Sequence, residues 1–86
     1  MPENTTVFDV EELRVLVAEA LDLPVTEVTD TASFIDDLGV DSLMSLEIAT
    51  SVEQRYGVSV DDNDLKDVTD FAAVRELVEG KLRERR

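Results

Sequence analysis

Hydrophobic residues recur along most of this chain with the three- and four-residue spacing of amphipathic helices. The first such stretch follows Asp9 and Glu12, which have the spacing of a helix-capping box. Pro24 cannot continue a helix, so we predict that the first helix ends near residues 21–23. Its apolar stripe is predicted to contain Val10, Leu13, Leu16, Val17, Ala20 and Leu21.

A second helix is predicted to begin at Ser42 or just before it and to end before Gly57, a residue that suits the turn after a helix. The residues predicted to face inward are Leu46, Ile48, Ala49, Val52 and Tyr56. Those predicted to face outward are Met44, Glu47, Ser51 and Gln54. Glu53 falls near the edge of the buried face.

The connection between these helices, residues 24–40, is acidic and has no sustained hydrophobic period. A connection of this length in a compact domain is usually functional or packed against the core. Gly39 is expected to take a backbone conformation that other residues avoid. The apolar residues that could pin the connection to the core are Val25, Val28, Phe34, Ile35 and Leu38.

The C-terminal third of the chain predicts a short third helix around Leu65 and a longer fourth helix capped by Thr69 or Asp70. The inward stripe of the fourth helix is predicted to contain Phe71, Val74, Leu77, Val78 and Leu82. Gly80 weakens that helix near its end, so we expect residues 83–86 to fray.

These patterns predict an all-α fold, because no stretch shows the sustained alternation of a strand. We expect a small four-helix bundle of three main helices and one short helix, with a long loop between helices 1 and 2. Nothing marks an internal repeat or a second domain. We therefore interpret residues 1–86 as one domain with a loose N-terminus at residues 1–6.

The composition excludes several kinds of chemistry. The 86 residues include no Cys and no His, which rules out disulfides, thiolate or imidazole zinc sites and a Ser-His catalytic pair. The acidic cluster within residues 61–64 does not begin an EF-hand loop, because Lys66 and Ala72 stand where that loop needs Gly and Glu. We therefore predict no metal site. The lack of a signal peptide and of a membrane-length apolar run favours a cytoplasmic protein, and the start at Met1 with a polar tail favours a free-standing one.

The net charge of −13 is distributed unevenly along the chain. No Lys or Arg occurs between Val15 and Gln54, a stretch that contains nine acidic residues and Ser42. Such a field of one sign attracts basic partners and repels nucleic acid and anionic membranes. Acidic composition also serves general solubility, but its concentration around Ser42 favours a partner-binding surface.

Two roles fit Ser42 at the predicted start of helix 2. Its hydroxyl could cap the helix by accepting from a free backbone N–H group of the first turn. The same N–H groups and the helix dipole would also favour an anion attached at this position. The residue pattern alone leaves both roles open.

The segment FIDDLGVDSL at residues 34–43, followed by Glu47, resembles the motif of the acyl carrier protein family. The resemblance extends over most of the chain. It implies that a phosphopantetheinyl transferase attaches a 4′-phosphopantetheine arm from coenzyme A to Ser42, and that the thiol of this arm holds acyl groups as thioesters. The protein would then be a non-catalytic carrier, with Ser42 as an attachment point.

The resemblance also implies a monomer whose helix 2 presents a docking surface to basic patches on its partners. These partners would be the phosphopantetheinyl transferase, a ketosynthase, an acyltransferase and other synthase enzymes. The residues assigned to this surface are Asp37, Asp41, Leu43, Met44, Glu47 and Glu53. Encounters through exposed charges should be fast, weak and sensitive to salt. For Leu43, capping the end of the bundle is the alternative role.

Two departures from the family pattern bear on the type of carrier. Met44 stands where many fatty-acid carriers have an acidic residue, and Arg55 adds a positive charge late in helix 2. These features resemble discrete carriers of polyketide or related secondary metabolism. A fatty-acid carrier and an aminoacyl or peptidyl carrier remain alternatives, as does an acidic helical interaction module without a prosthetic group.

Overall fold

The computed structural model describes residues 8–84, so the predicted loose segment at residues 1–6 lies outside the described residues. The helices of this part are α1 (Val10–Leu21), α2 (Ser42–Tyr56), α3 (Asp62–Lys66) and α4 (Phe71–Glu84), with a 3₁₀ turn at Val25–Glu27. Residues 8–84 contain no strand, and no helix among them is long and apolar enough to cross a membrane. The predicted all-α bundle of three longer helices and one short helix is therefore confirmed.

Side-chain caps explain where α1 begins and ends. Asp9 accepts from the N–H groups of Glu11 and Glu12 at 3.0 and 3.4 Å. The Glu12 carboxylate pairs with Arg55 of α2 instead, so only the Asp9 half of the predicted capping box is found among the described residues. Asp22 ends the helix in a left-handed conformation with φ 57°, which aspartate tolerates better than most residues.

The acidic residues at the start of α3 cap that helix. Asp61 and Asp64 each accept from the other's backbone N–H group and form a complete capping box. Asp70 caps α4 by accepting from the N–H of Ala73 at 2.9 Å. Residues 83–84 belong to α4, and the last two residues of the segment predicted to fray, 85–86, lie outside the described part, so the fraying stays a prediction. Within residues 8–84, no group of three or more His, Cys, Asp or Glu side chains could hold a metal ion.

One hydrophobic core joins α1, α2 and α4 with the long connection. Phe71, at the start of α4, is fully buried, and the guanidinium carbon of Arg14 lies 4.3 Å from its ring centroid. The buried members of the core are Leu13, Val17, Ala18, Leu21, Val28, Phe34, Val40, Ile48, Val52, Val58, Phe71, Val74 and Val78. Burial of this apolar surface is the main favourable contribution to folding.

The inward face of α2 differs from the predicted one at two positions. Leu46, predicted to be buried, is 52% exposed, whereas Met44, predicted to face outward, is half-buried against the core. Met44, Ile48 and Val52 follow one another at steps of four residues and therefore lie along one line of the helix. Leu46 is rotated by about 200° from Met44 and so points away from the core.

The long connection is fixed to the bundle by side chains and by backbone. Val28 and Phe34 are buried as predicted, and the N–H of Phe34 donates to the carbonyl of Thr69 at 2.8 Å. Ile35 and Val25 are 70% and 39% exposed, so the prediction that they pin the connection to the core is wrong. Phe34 takes the inward position of its turn, which leaves its neighbour Ile35 on the solvent side.

Arg14 joins three parts of the fold through one guanidinium group. Nη1 donates to the Val28 carbonyl at 2.6 Å, Nη2 to Asp30 at 2.8 Å, and Nε to Glu11 at 3.0 Å. The side chain is 15% exposed, and its hydrogen bond to the Glu11 carboxylate is the main cause that raises the pKa of Arg14. Arg14 therefore holds the start of the long connection against α1 and α4.

The short helix α3 is tied to both neighbouring helices. Lys81 of α4 pairs with Asp64 at 3.0 Å, and Glu53 of α2 accepts from the N–H of Val60 at 2.7 Å. Between α2, α3 and α4 lies a wholly apolar cavity of about 10 Å³, which is at the lower limit of the roughly 10–15 Å³ needed to admit one water molecule. The residues that line it include Ile48, Val52, Leu65, Val68 and Leu77.

The contacts of Asp64 should make part of the stability depend on acidic pH. The N–H of Asp61, and then the ammonium group of Lys81, hold the pKa of Asp64 below its ordinary value of 3.8. Such a carboxylate stabilises the fold above its unfolded-state pKa, and this contribution is lost as the pH falls through the folded-state value. Asp64→Asn should therefore cost about 1 kcal/mol near pH 6 and much less near pH 3. Urea unfolding of both proteins at the two pH values measures this cost, and an equal cost at both would contradict the prediction.

Candidate functional site

Asp41, not Ser42, caps helix α2. The backbone of Asp41 is extended, and its Oδ1 accepts from the N–H of Met44 at 2.9 Å. Ser42 is the first residue of the helix itself. The capping role considered for Ser42 is therefore wrong, and the cap of α2 does not depend on the serine hydroxyl.

The hydroxyl of Ser42 is exposed and makes no hydrogen bond within residues 8–84. The backbone N–H groups of Ser42 and Leu43 likewise have no acceptor there, as is usual in a first helical turn. A phosphate oxygen attached at this position would meet free donors and the positive end of the helix dipole. The site therefore fits an anionic group on Ser42, and no contact of the fold has to be broken to admit it.

The segment before α2 brings Ser42 to the surface. Gly39 has φ 68°, a left-handed conformation that favours glycine. Val40 behind it is buried, and its N–H donates to the carbonyl of Phe34 at 2.7 Å. With Val40 held inward, Asp41 and Ser42 follow at an exposed corner of the bundle.

Part of the predicted partner surface lies close to Ser42. Asp41, Leu43 and Glu47 are exposed within the first two turns of α2. Leu43 is 67% exposed, which contradicts the alternative that it caps the end of the bundle. Met44 is half-buried against the core and so offers less surface to a partner than the sequence suggests.

Asp37 and Glu53, also predicted to contact partners, have contacts within the fold. Asp37 is exposed, and its Oδ2 accepts from the N–H of Ser33 at 2.7 Å. Glu53 is half-buried, and its carboxylate accepts a hydrogen bond from the N–H of Val60. It follows Ser42 by eleven positions, or roughly 16 Å along the helix axis, so it does not belong to the cluster around the serine.

Between α1 and α2 lies a groove that the hydrophobic pattern of the sequence does not predict. The groove has a volume of about 540 Å³. The groove is not predicted because the hydrophobic period places Leu46 in the core, and the period alone does not distinguish an exposed leucine from a buried one. The residues that line it include Glu19, Ala20, Leu43, Leu46, Glu47 and Thr50.

A family model described as the phosphopantetheine attachment site matches residues 11–79 of the chain. The chain belongs to the acyl carrier protein family. A polyketide-8 synthase acyl carrier protein 2 from Streptomyces avermitilis is 51% identical to it over 83 residues, which cover 95% of both chains. The family predicted from the LGVDSL segment is therefore confirmed.

Other acyl carrier proteins share less of the sequence. One from Thermotoga maritima is 34% identical over 71 residues, which cover 83% of this chain and 88% of its own. The solution structure of oxytetracycline acyl carrier protein matches with a TM-score of 0.73 over 95% of this chain and 90% of that chain, at 24% identity. At that identity, the structural likeness shows the helical fold alone.

Family membership establishes the general chemistry of this acyl carrier protein. Its prosthetic group is 4′-phosphopantetheine, and the protein is a carrier rather than a catalyst. Carriers of this family are modified by phosphopantetheinyl transferases and work with synthase enzymes. The alternative of an interaction module without a prosthetic group is therefore wrong.

Proposed function

We propose that Ser42 carries the 4′-phosphopantetheine arm and that the arm bears polyketide intermediates. The observation that carries this proposal is the exposed hydroxyl of Ser42 at the first residue of α2, within the segment that the family model matches. When bound, the prosthetic group supplies a terminal thiol on which acyl groups are held as thioesters. The chain has no Cys that could take this role.

Attachment requires Ser42 to accept a group from coenzyme A. Its Oγ atom forms an ester bond to the phosphorus that bears the pantetheine, while the pyrophosphate P–O bond of coenzyme A breaks. Adenosine 3′,5′-bisphosphate leaves with the electron pair of that bond, and the hydroxyl proton passes to a base. Asp41 is exposed and already accepts from Met44, so we assign the base to the transferase.

The polyketide cargo is supported by the 51% identity to the Streptomyces avermitilis carrier over 95% of both chains. The positive charge of Arg55 in α2, and Met44 at a position where many fatty-acid carriers have an acidic residue, favour the same type of carrier. A fatty-acid carrier or an aminoacyl carrier with the same modification of Ser42 is the alternative.

Two assays in sequence test this proposal. The protein is first incubated with coenzyme A and a promiscuous phosphopantetheinyl transferase, and its intact mass should rise by one phosphopantetheinyl group. The malonyl-loaded carrier is then supplied to a polyketide ketosynthase and, separately, to a fatty-acid ketosynthase. Faster extension by the polyketide enzyme supports the proposed cargo. Faster extension by the fatty-acid enzyme, or loading by aminoacyl donors alone, would overturn it.

The proposal includes docking of the partner enzymes on the first turns of α2. Asp41, Leu43 and Glu47 are exposed there. Arg14 and Arg55, the basic residues on either side of the stretch from residue 15 to 54, pair with carboxylates of the fold and do not neutralise this surface. This surface therefore favours basic patches on the transferase, a ketosynthase and an acyltransferase. A cytoplasmic location is part of the same proposal, and the requirement for coenzyme A supports it.

Reversing the charge of Glu47 should slow modification without weakening the fold. Glu47 is exposed and makes no ion pair within residues 8–84, so Glu47→Lys should change the free energy of unfolding by less than about 0.5 kcal/mol. The kcat/KM for phosphopantetheinylation should fall roughly tenfold at low salt, because attraction to a basic partner becomes repulsion.

Glu76→Lys is the matched control, since Glu76 is exposed on α4. It should change kcat/KM by no more than about twofold. Equal rates for the two variants would count against docking on α2. A large fall in the melting temperature of Glu47→Lys would show that Glu47 has a structural role instead.

A further inference from the structure

The groove between α1 and α2 begins directly beside Ser42. Leu43, which lines its near end, is the next residue of the chain, and Thr50 lines it about 10 Å further along α2. The opposite side is formed by α1 through Glu19 and Ala20. An enzyme that reaches the Ser42 hydroxyl therefore covers the near end of this groove.

The groove combines exposed apolar surface with a carboxylate from each helix. Leu43 and Leu46 are 67% and 52% exposed, and they are neighbours on α2 because their positions differ by three. Glu19 and Glu47 form no ion pair within residues 8–84, and none of the lining residues is basic. Apolar surface bordered by free carboxylates complements a side chain with an aliphatic stem and a cationic head.

We infer that this groove receives a lysine or arginine side chain of the phosphopantetheinyl transferase that modifies Ser42. The stem of that side chain lies along Leu46 and Ala20, and its cation lies between Glu19 and Glu47. A second copy of this chain is a poor occupant, because two molecules of net charge −13 repel each other. The inference rests on the proposed function and adds α1 to a docking surface otherwise formed by α2.

The rate of phosphopantetheinylation tests the inference. The full chain is incubated with coenzyme A and a promiscuous transferase, and the gain in intact mass is followed over time. Glu19→Gln should lower kcat/KM about fivefold at low ionic strength, mainly through KM, and this effect should vanish in roughly 0.5 M salt. Leu46→Ala should lower kcat/KM by a similar factor at both salt concentrations, because burial of apolar surface is not screened by ions.

Two matched controls change the same residue types outside the groove. Glu27→Gln removes an exposed carboxylate of the 3₁₀ turn, and Val15→Ala trims an exposed valine of α1. For both variants, kcat/KM should stay within about twofold of the value for the wild-type chain.

The possible failures are distinguishable. A wild-type chain that accepts no phosphopantetheinyl group overturns the proposed function and this inference together. A wild-type chain that is modified, with Glu19→Gln equal to Glu27→Gln and Leu46→Ala equal to Val15→Ala, overturns the inference alone. A loss of rate in Glu19→Gln that persists at high salt also overturns it, because a contact between exposed charges is screened by salt.

Discussion

Replacing Ser42 with alanine should abolish phosphopantetheinylation and leave the fold nearly unchanged. Asp41 holds the cap of α2, and the Ser42 hydroxyl makes no hydrogen bond within the described residues. The free energy of unfolding should therefore change by less than about 0.5 kcal/mol, which is below the ~1 kcal/mol expected for the loss of a capping serine. Intact mass after incubation with coenzyme A and transferase measures the modification, and urea unfolding measures the stability.

Two further variants make this result specific to Ser42. Ser45→Ala changes the next serine of α2, which is half-buried, and should leave the gain in mass unaltered. Asp41→Ala removes the cap and should cost about 1 kcal/mol, or about 4–8 °C in Tm. A phosphopantetheinyl adduct on Ser42→Ala would overturn the attachment site. A loss of stability in Ser42→Ala as large as in Asp41→Ala would show that the serine contributes to the cap.

Replacing Arg14 with methionine should destabilise the fold by about 2–3 kcal/mol. Methionine keeps apolar volume over Phe71 but removes the donors to Val28, Asp30 and Glu11. The part-buried carbonyl of Val28 then loses a charged donor, which costs more than the loss of an exposed contact. In a domain of this size, the loss corresponds to a fall of roughly 10–20 °C in Tm, which thermal unfolding measures.

Arg55→Met is the matched control for Arg14→Met. Arg55 also pairs with a glutamate of α1, but the side chains of Arg55 and Glu12 are 49% and 47% exposed. Loss of that exposed pair should cost less than about 1 kcal/mol. If the two variants proved equally stable, the linking role assigned to Arg14 would be wrong.

The helix boundaries are predictable from the sequence because the groups that set them are local. Asp9, Asp61 and Asp70 each accept from an N–H group within three residues of their own position. Gly57 ends α2 with φ 69°, and Pro24 stands shortly after α1. The choice between Asp41 and Ser42 as the cap of α2 is not predictable, since both residue types are good caps and they are adjacent.

The direction of individual side chains is less predictable because it depends on distant contacts. Met44 and Leu46 are both apolar, and only the packing of α2 against the bundle decides which of them is buried. The contacts of the Arg14 side chain are not predictable for the same reason, because Val28 and Phe71 approach it only after the chain has folded. The attachment residue itself is proposed from a local motif and does not require such contacts.

The apolar cavity between α2, α3 and α4 has a consequence for cargo selectivity. At about 10 Å³ it offers no preformed room for even a short acyl chain. Any chain that entered would have to move α3 against its ties to Lys81 and Glu53. We therefore expect the proposed polyketide chain on Ser42 to lie outside this cavity, so that the cavity does not select its length or shape. Under the proposed function, we expect selection among intermediates to fall to the partner enzymes, with the surface of the carrier unchanged as its cargo grows.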